Sequence, residues 1–364
     1  GGFLEMANNN ILYGFVGLES HFNEKLENVN VQVVDDAIRA TVEEHNRQVQ
    51  AMTGDMFQFT EQYKVRFQQP GSGTLQPLDE WGIPLPTRPA GYYDVAFPIQ
   101  GGGDAYGNNR VTRALQTVGD VNRHIADILM RDSDWMKRHM LAAVFDNTTW
   151  SYDDPEHGTL TIQPLANGDS VTYPKRPGTV AADTHHLAQS ATVADATNPF
   201  DDIYADLMEH PVNAGGQVVC YIPTNLKSAV EGLATFTEVG DPDVTPGANI
   251  ATLNGRIDRG WGDELIGKTN KCWIVESGIL PDNYIVANVR GGLAAPLWAR
   301  EYPAAGLKGL FREQHSPDGN LLAQRFIRYT GFGVYNRVGA MVYFVGAGDT
   351  TYDIPSGYTN PLAV

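Results

Sequence analysis

Apolar residues along this chain recur with two periods, a helical one and a strand-like one, and the switch between them divides the sequence into elements. The longest helical pattern lies between Gly119 and Thr148. There Val121, Ile125, Ile128, Leu129, Trp135, Met136, Met140, Ala143 and Val144 return at three- and four-residue steps. Arg123, Asp127, Arg131, Asp134, Lys137 and Arg138 fill the opposite face, and no Gly or Pro interrupts the run after Gly119. Asp120 stands where an N-cap belongs. At about 1.5 Å per residue such a helix spans roughly 40 Å, well beyond the usual globular helix. With sheet-like segments on both sides it reads as a spine, although an ordinary amphipathic core helix has the same periodicity. A second helix is predicted over Val29–Met52. It carries Val31, Val34, Ile38, Val42, Val49 and Met52 on one stripe and Asp35, Asp36, Arg39, Glu43, Glu44 and Arg47 opposite, and Gly54 ends it.

The period of two appears first in Phe57–Phe67, a half-buried strand, and again in Tyr92–Ile99. Between them lies a stretch rich in Pro and Gly, and GGGDAYGNN closes the segment, so that Phe57–Asn109 forms a long hairpin-like excursion between the two helices. Pro70, Pro77, Pro84, Pro86 and Pro89 keep it extended. After the long helix, Trp150–Pro174 reads as a hairpin turning at Asn167-Gly168-Asp169, and Lys175–Asn198 as a polar connection. Composition changes at Pro199. A short helix (Phe200–Glu209), a buried strand (Gln217–Ile222), a helix capped by Thr224 (to Leu233) and two strands (Lys271–Glu276, Tyr284–Val289) then make a compact α/β unit up to Pro296. Four further strands follow: Ala294–Tyr302, Leu307–Gln314, Leu321–Gly333 and Gly339–Gly346. Ser316-Pro317-Asp318-Gly319 is a turn between two of them, and the tail reads as polar and extended. The predicted class is α+β.

Composition narrows the function. The 364 residues leave room for two or three domains, and 42% hydrophobic against 19% charged residues describes a globular chain. A formal net charge of −17 argues against a protein that grips nucleic acid, which needs a basic face, but not against a surface that encloses it. Neither a membrane-spanning apolar run nor a signal peptide shows itself in the sequence. The two cysteines, Cys220 and Cys272, are too few for a disulfide scaffold or a thiolate metal site and read as quiet buried thiols.

Motifs for chemistry are sparse. GGGDAYG at Gly101 and GFG at Gly331 lack the spacing of a dinucleotide or phosphate loop. Asp153, Asp154, Glu156 and His157 crowd into DDPEHG, where a hard-cation or catalytic carboxylate site is conceivable, but Pro155 puts them in a turn where adjacent acids are solvated. His185 and His186, as strand neighbours, point to opposite faces, and His124 and His139 read as satisfied polar-edge residues. No serine, zinc-protease or cysteine nucleophile motif occurs. The sequence therefore implies no enzyme, catalytic residue, cofactor or metal. Trp135 and Trp273 fit a core, whereas Trp81, amid the prolines of the excursion, fits contact with another subunit. Lys64, Arg66, Asp79, Glu80, Arg88 and Asp94 are interspersed along the excursion and suit rim ion pairs between chains.

The order of elements resembles the major capsid protein of tailed bacteriophages, the Hong Kong 97-type fold, across essentially the whole chain. RFIRYTGFGVYNRVGA (Arg325–Ala340) is similar to that family's closing strands, and YIPTNLKSAVEGL (Tyr221–Leu233) to the strand and helix of its axial domain. The resemblance implies an N-terminal arm with its amphipathic helix (1–53), an extended E-loop hairpin (54–110), and a P-domain with spine helix and hairpin (111–198). An α/β A-domain (199–296), returning P-domain strands (297–346) and a C-terminal tail (347–364) complete it. It also implies a virion shell subunit, assembled in the host cytoplasm into pentamers and hexamers of an icosahedral head that encloses double-stranded DNA. The family's partners are further copies of the chain, a portal, a scaffold or protease and, in some members, a decoration protein. Intersubunit contact would fall on the E-loop residues Lys64, Arg66, Trp81 and Arg88. A start at Gly1-Gly2-Phe3 fits members whose N-terminal scaffolding segment is removed on maturation. Some members crosslink an E-loop lysine to a neighbour's asparagine. Lys64 is the only lysine of the excursion, but neither the asparagine nor the catalytic glutamate has a match, so crosslinking does not carry over. Three other readings compete: an encapsulin nanocompartment, a soluble hydrolase with its acidic site at Asp153–Glu156, and a tail or decoration protein.

Overall fold

The computed structural model describes residues 23–25, 28–29, 31–53, 56–69, 78, 80–83, 91–109, 114–176, 178–238, 264–269, 271–292, 294–315 and 321–362. Most of the predicted arm, Arg88 and the Ser316–Gly319 turn lie outside these described residues. The chain divides into two compact units, one of residues 1–51, 99–139 and 301–331, the other of 52–98, 140–300 and 332–364.

In the first unit two helices lie on a sheet. The helix Val31–Thr53 buries Val34, Ala37, Ile38 and Val42 against Val118, Val121, Ile125, Ile128 and Leu129 of the long helix, and Tyr106, Leu310 and Phe326 complete the core from the sheet. Of the apolar stripes read from the sequence, Val34, Ile38, Val42 and Val49 on one helix and Val121, Ile125, Ile128, Leu129, Met136, Met140 and Val144 on the other are buried. The long helix runs Val118–Phe145, about 42 Å at 1.5 Å per residue, and its residues 118–139 belong to this unit. Its cap differs from the expectation. Thr117, not Asp120, is the capping residue: the Asp120 N–H donates to Thr117 Oγ1 at 3.2 Å, and Asp120 Oδ2 accepts from the Thr117 N–H at 3.0 Å, a reciprocal capping box.

The sheet of this unit also departs from expectation. GGGDAYGNN is not a closing loop but the long strand Gln100–Asn109, antiparallel to Leu321–Val334, which pairs on its other side with Leu310–His315. The glycines belong there because rings cover them. A Cβ at Gly101 would lie 2.8 Å from the Tyr329 ring, and one at Gly102 would lie 2.9 Å from the Trp135 ring.

The second unit is built on a seven-stranded sheet in the order Thr237–Glu238, Glu264–Lys268, Cys272–Glu276, Gln217–Ile222, Tyr284–Arg290, Ala340–Val345, His186–Gln189. Gln217–Ile222 runs parallel to Cys272–Glu276, and His186–Gln189 parallel to Ala340–Val345. The residues expected to be a polar connection therefore supply an edge strand. The helix Pro199–Met208, capped by the Asn198 side chain, packs Phe200, Ile203 and Leu207 onto Val218, Cys220 and Ile222. Thr224 makes no side-chain cap: Thr224–Leu226 is a 3-10 turn leading into the short helix Lys227–Glu231. Both cysteines are buried in this core.

Two smaller hairpins replace the single one expected after the long helix. Trp150–Asp154 pairs with Gly158–Ile162 around Pro155-Glu156-His157, and Tyr173–Lys175 pairs with Thr179–Ala181. Asn167 instead bridges to Thr184. The predicted strand Phe57–Phe67 is broken into Phe57–Thr60, parallel to Leu297–Arg300, and Lys64–Gln69, antiparallel to Gly91–Ala96. The tail docks rather than trailing. Asn360 Nδ2 donates to the Ala142 carbonyl at 3.1 Å, beside the Asp146 N–H, and the Tyr352 hydroxyl donates to the Phe145 carbonyl at 2.8 Å, so the tail supplies donors to the last turn of the long helix.

Candidate interaction surface

The hairpin Lys64–Gln69/Gly91–Ala96 has two different faces, because alternate strand residues point to opposite sides. On the inner face Phe67 stacks on Tyr93 at 5.4 Å and meets Tyr335 at 5.2 Å, while Val95 is buried. On the outer face Arg66 forms a forked pair with Asp94 (2.7 and 3.0 Å), and Lys64 Nζ adds a third contact at 3.2 Å. The Arg66 guanidinium, helped by Lys64 and opposed by slight burial, holds the Asp94 carboxyl down at about 2. Lys64, Arg66 and Asp94 are therefore matched across the strands of one chain. Such exposed pairs fix register more than they stabilise.

The excursion also carries apolar side chains into solvent, in its paired strands and beyond them. Trp81 is 83% exposed, Leu78 61%, Ile83 62% and Tyr92 64%. With Tyr63 these are five of the eight exposed large hydrophobics among the described residues, although the excursion is a small part of the chain. Scattered single apolar residues on a surface mean little; this concentration makes the excursion the candidate contact surface. Lys64, Arg66 and Trp81 thus share one excursion, and Arg88 lies outside the described residues.

The acidic stretch Asp153–Glu156 does structural duty. Asp154 Oδ1 accepts from the Glu156 and His157 N–H groups at 2.9 and 3.0 Å, and Oδ2 accepts from Arg300 Nη1 at 2.6 Å. Burial alone would raise the Asp154 carboxyl, but these donors outweigh it and hold it below the usual range. His157 stacks on Tyr63 at 3.8 Å. The one carboxylate here that is buried is fully engaged in closing its turn.

His185 and His186 diverge, as strand neighbours must. His186 Nε2 meets the Val144 carbonyl at 3.0 Å, whereas His185 turns toward Asp183 and His210. That second grouping was hidden in the sequence by the 25-residue gap to His210. Its one local sign was the spacing of Asp183 and His185, two apart and so on one side of extended backbone.

No protein-family description matches this sequence, and no curated protein does. Among solved structures, the chain is similar to one from Mycobacterium phage Patience: 18% identical, with 93% of this chain and 94% of that one aligned at a TM-score of 0.70. The chain has a phage-capsid fold. Other similar structures are the bacteriophage PhiM1 mature capsid (10% identity, 79% and 84% of the two chains, TM-score 0.48) and a virus-like particle from Pyrococcus furiosus (11%, 84% and 97%, TM-score 0.40). No helix among the described residues is long and apolar enough to cross a membrane.

Proposed function

We propose that this chain is the major capsid protein of a tailed phage, a structural subunit that builds the icosahedral head around double-stranded DNA. The observation that carries the reading is the end-to-end match of fold with the Mycobacterium phage Patience chain, which leaves little of either chain unaligned. In this reading the second unit's seven-stranded sheet with its flanking helices meets its counterparts around the capsomer centre, and the long helix is the spine of the peripheral region. Pentamers and hexamers arise from one subunit because the excursion reaches over a neighbour. There Trp81, Leu78, Ile83 and Tyr92 become buried, while Lys64, Arg66 and Arg88 line the rim. The net charge of −17 suits a shell that contains DNA without adhering to it.

Electron microscopy and light scattering of the purified chain, alone and co-expressed with a scaffold, test this. Closed icosahedral particles are expected, and small oligomers under both conditions would refute it. Replacing Leu75–Arg88 by a short Gly-Ser linker should leave circular dichroism and the thermal midpoint nearly unchanged while abolishing or weakening particles. Normal particles after that replacement would remove the excursion from the interface.

A further inference from the structure

Three ligand-type atoms converge in the second unit: Asp183 Oδ2, His185 Nε2 and His210 Nε2. His185 Nε2 lies 3.3 Å from His210 Nε2 and 3.5 Å from Asp183 Oδ2, and His210 Nε2 lies 2.7 Å from Asp183 Oδ2. Both imidazoles are completely buried. They come from distant segments, since Asp183 and His185 lead into the strand His186–Gln189 while His210 follows the helix Pro199–Met208.

The other nitrogen of each ring decides the chemistry. His185 Nδ1 stands 2.7 Å from the Ala340 carbonyl and His210 Nδ1 3.0 Å from the Pro174 carbonyl. A carbonyl oxygen only accepts, so each Nδ1 carries a proton and each ring presents its Nε2 to the cluster, the atom left for a metal. Three such atoms within 3.5 Å of one another need a cation or proton between them, and Lys175 Nζ, 3.3 Å from Asp183 Oδ2, reaches only the carboxylate. A proton bridges two such atoms and leaves the third without a donor. A metal ion answers all three at once.

From this geometry we propose that Asp183, His185 and His210 bind a divalent transition-metal ion, with zinc the best fit to two imidazoles and one carboxylate. Ligands at about 2.0–2.1 Å in a tetrahedron stand roughly 3.3 Å apart. The two distances from His185 already match, and the His210–Asp183 edge must open by about half an ångström on metal entry. Nδ1–H groups donating to backbone carbonyls are also what orients metal-bound histidines in general. Glu209 Oε1, 4.0 Å from His210 Nε2, is a further carboxylate oxygen that can complete the coordination in place of water. Lys175 Nζ contacts Glu209 at 2.5 Å and Asp183 at 3.3 Å, so it offsets the second carboxylate. The ion would tie the strand Tyr173–Lys175, the edge of the large sheet and the end of the helix Pro199–Met208 to one point, a reinforcement independent of what the protein assembles into.

The test uses the full untagged chain purified without chelator. Elemental analysis should find about one zinc per chain. Chelation should lower the thermal midpoint, Zn2+ but not Mg2+ should restore it, and Co2+ should give the intense visible bands of a tetrahedral site. D183N and H210Q should each weaken zinc binding at least about tenfold. Should H210Q not fold, the wild-type cobalt spectrum and D183N still decide. A chain purified without zinc whose midpoint ignores added Zn2+, a pale octahedral cobalt spectrum, or zinc bound undiminished by D183N would each overturn the proposal.

Discussion

Replacing Asp132 by alanine should be among the most damaging single changes in the first unit. Asp132 lies on the buried face of the long helix and holds Arg328 through a forked pair, Nε to Oδ1 at 2.6 Å and Nη2 to Oδ2 at 2.7 Å. His45 Nε2 stands 2.7 Å from the same carboxylate, and Arg328 Nη2 also donates to Asn46 Oδ1 at 3.1 Å. Burial would raise the Asp132 carboxyl, yet Arg328 and His45 overcome this and keep it below the usual range, so the pair is ionised at neutral pH. The Arg328 side chain is only 2% exposed. Removing its partner strands a guanidinium out of water, which costs about 3–5 kcal/mol, a large share of the roughly 5–15 kcal/mol that holds a domain folded. Amide exchange across the long helix is the assay. With every 1.4 kcal/mol worth a factor of ten, exchange through unfolding should rise roughly 140- to 3,700-fold. The double variant Asp132→Leu with Arg328→Met should recover most of the loss, because apolar residues of similar volume replace buried pairs at little cost. An increase below tenfold in Asp132→Ala, or a double variant no better than the single one, would refute the reasoning.

Two further outcomes are expected. Burial, with the Arg138 charge beside it, pushes His139 down to about 4 from 6.5, so at pH 5 the unfolded chain binds a proton that the folded one refuses. Stability should therefore fall by up to about 3 kcal/mol as pH drops from 6.5 to 4 and level off below, and His139→Leu should flatten that part of a urea-midpoint titration. Gly333→Ala would set a Cβ 2.7 Å from the Ala96 carbonyl and 2.8 Å from the Phe97 ring, overpacking worth about 1–3 kcal/mol and several degrees of thermal midpoint. Gly278→Ala, with open space around it, is the control and should leave the midpoint unchanged.

What the sequence determined by itself was local periodicity. The stripe Val121–Val144 specified the long helix, and Val34–Val49 its partner, because a helix repeats every 3.6 residues whatever it packs against. The short apolar runs Gln217–Ile222 and Tyr284–Val289 specified buried strands, and the order of these elements was enough to point to a phage-capsid fold. Tertiary structure alone decided what depends on a distant partner. GGGDAYGNN has Tyr106 as its one strand-forming side chain, and it became a strand because Leu321–Val334 offered a free edge and the rings of Tyr329 and Trp135 needed the space. Asp132 drew no reading from the sequence, and its role came only when Arg328, nearly two hundred positions away, was brought against it. Asp183, His185 and His210 became a cluster only when a helix end was folded onto a sheet edge. Side-chain period is written in consecutive residues, whereas the neighbour that neutralises a buried charge is chosen by the whole chain.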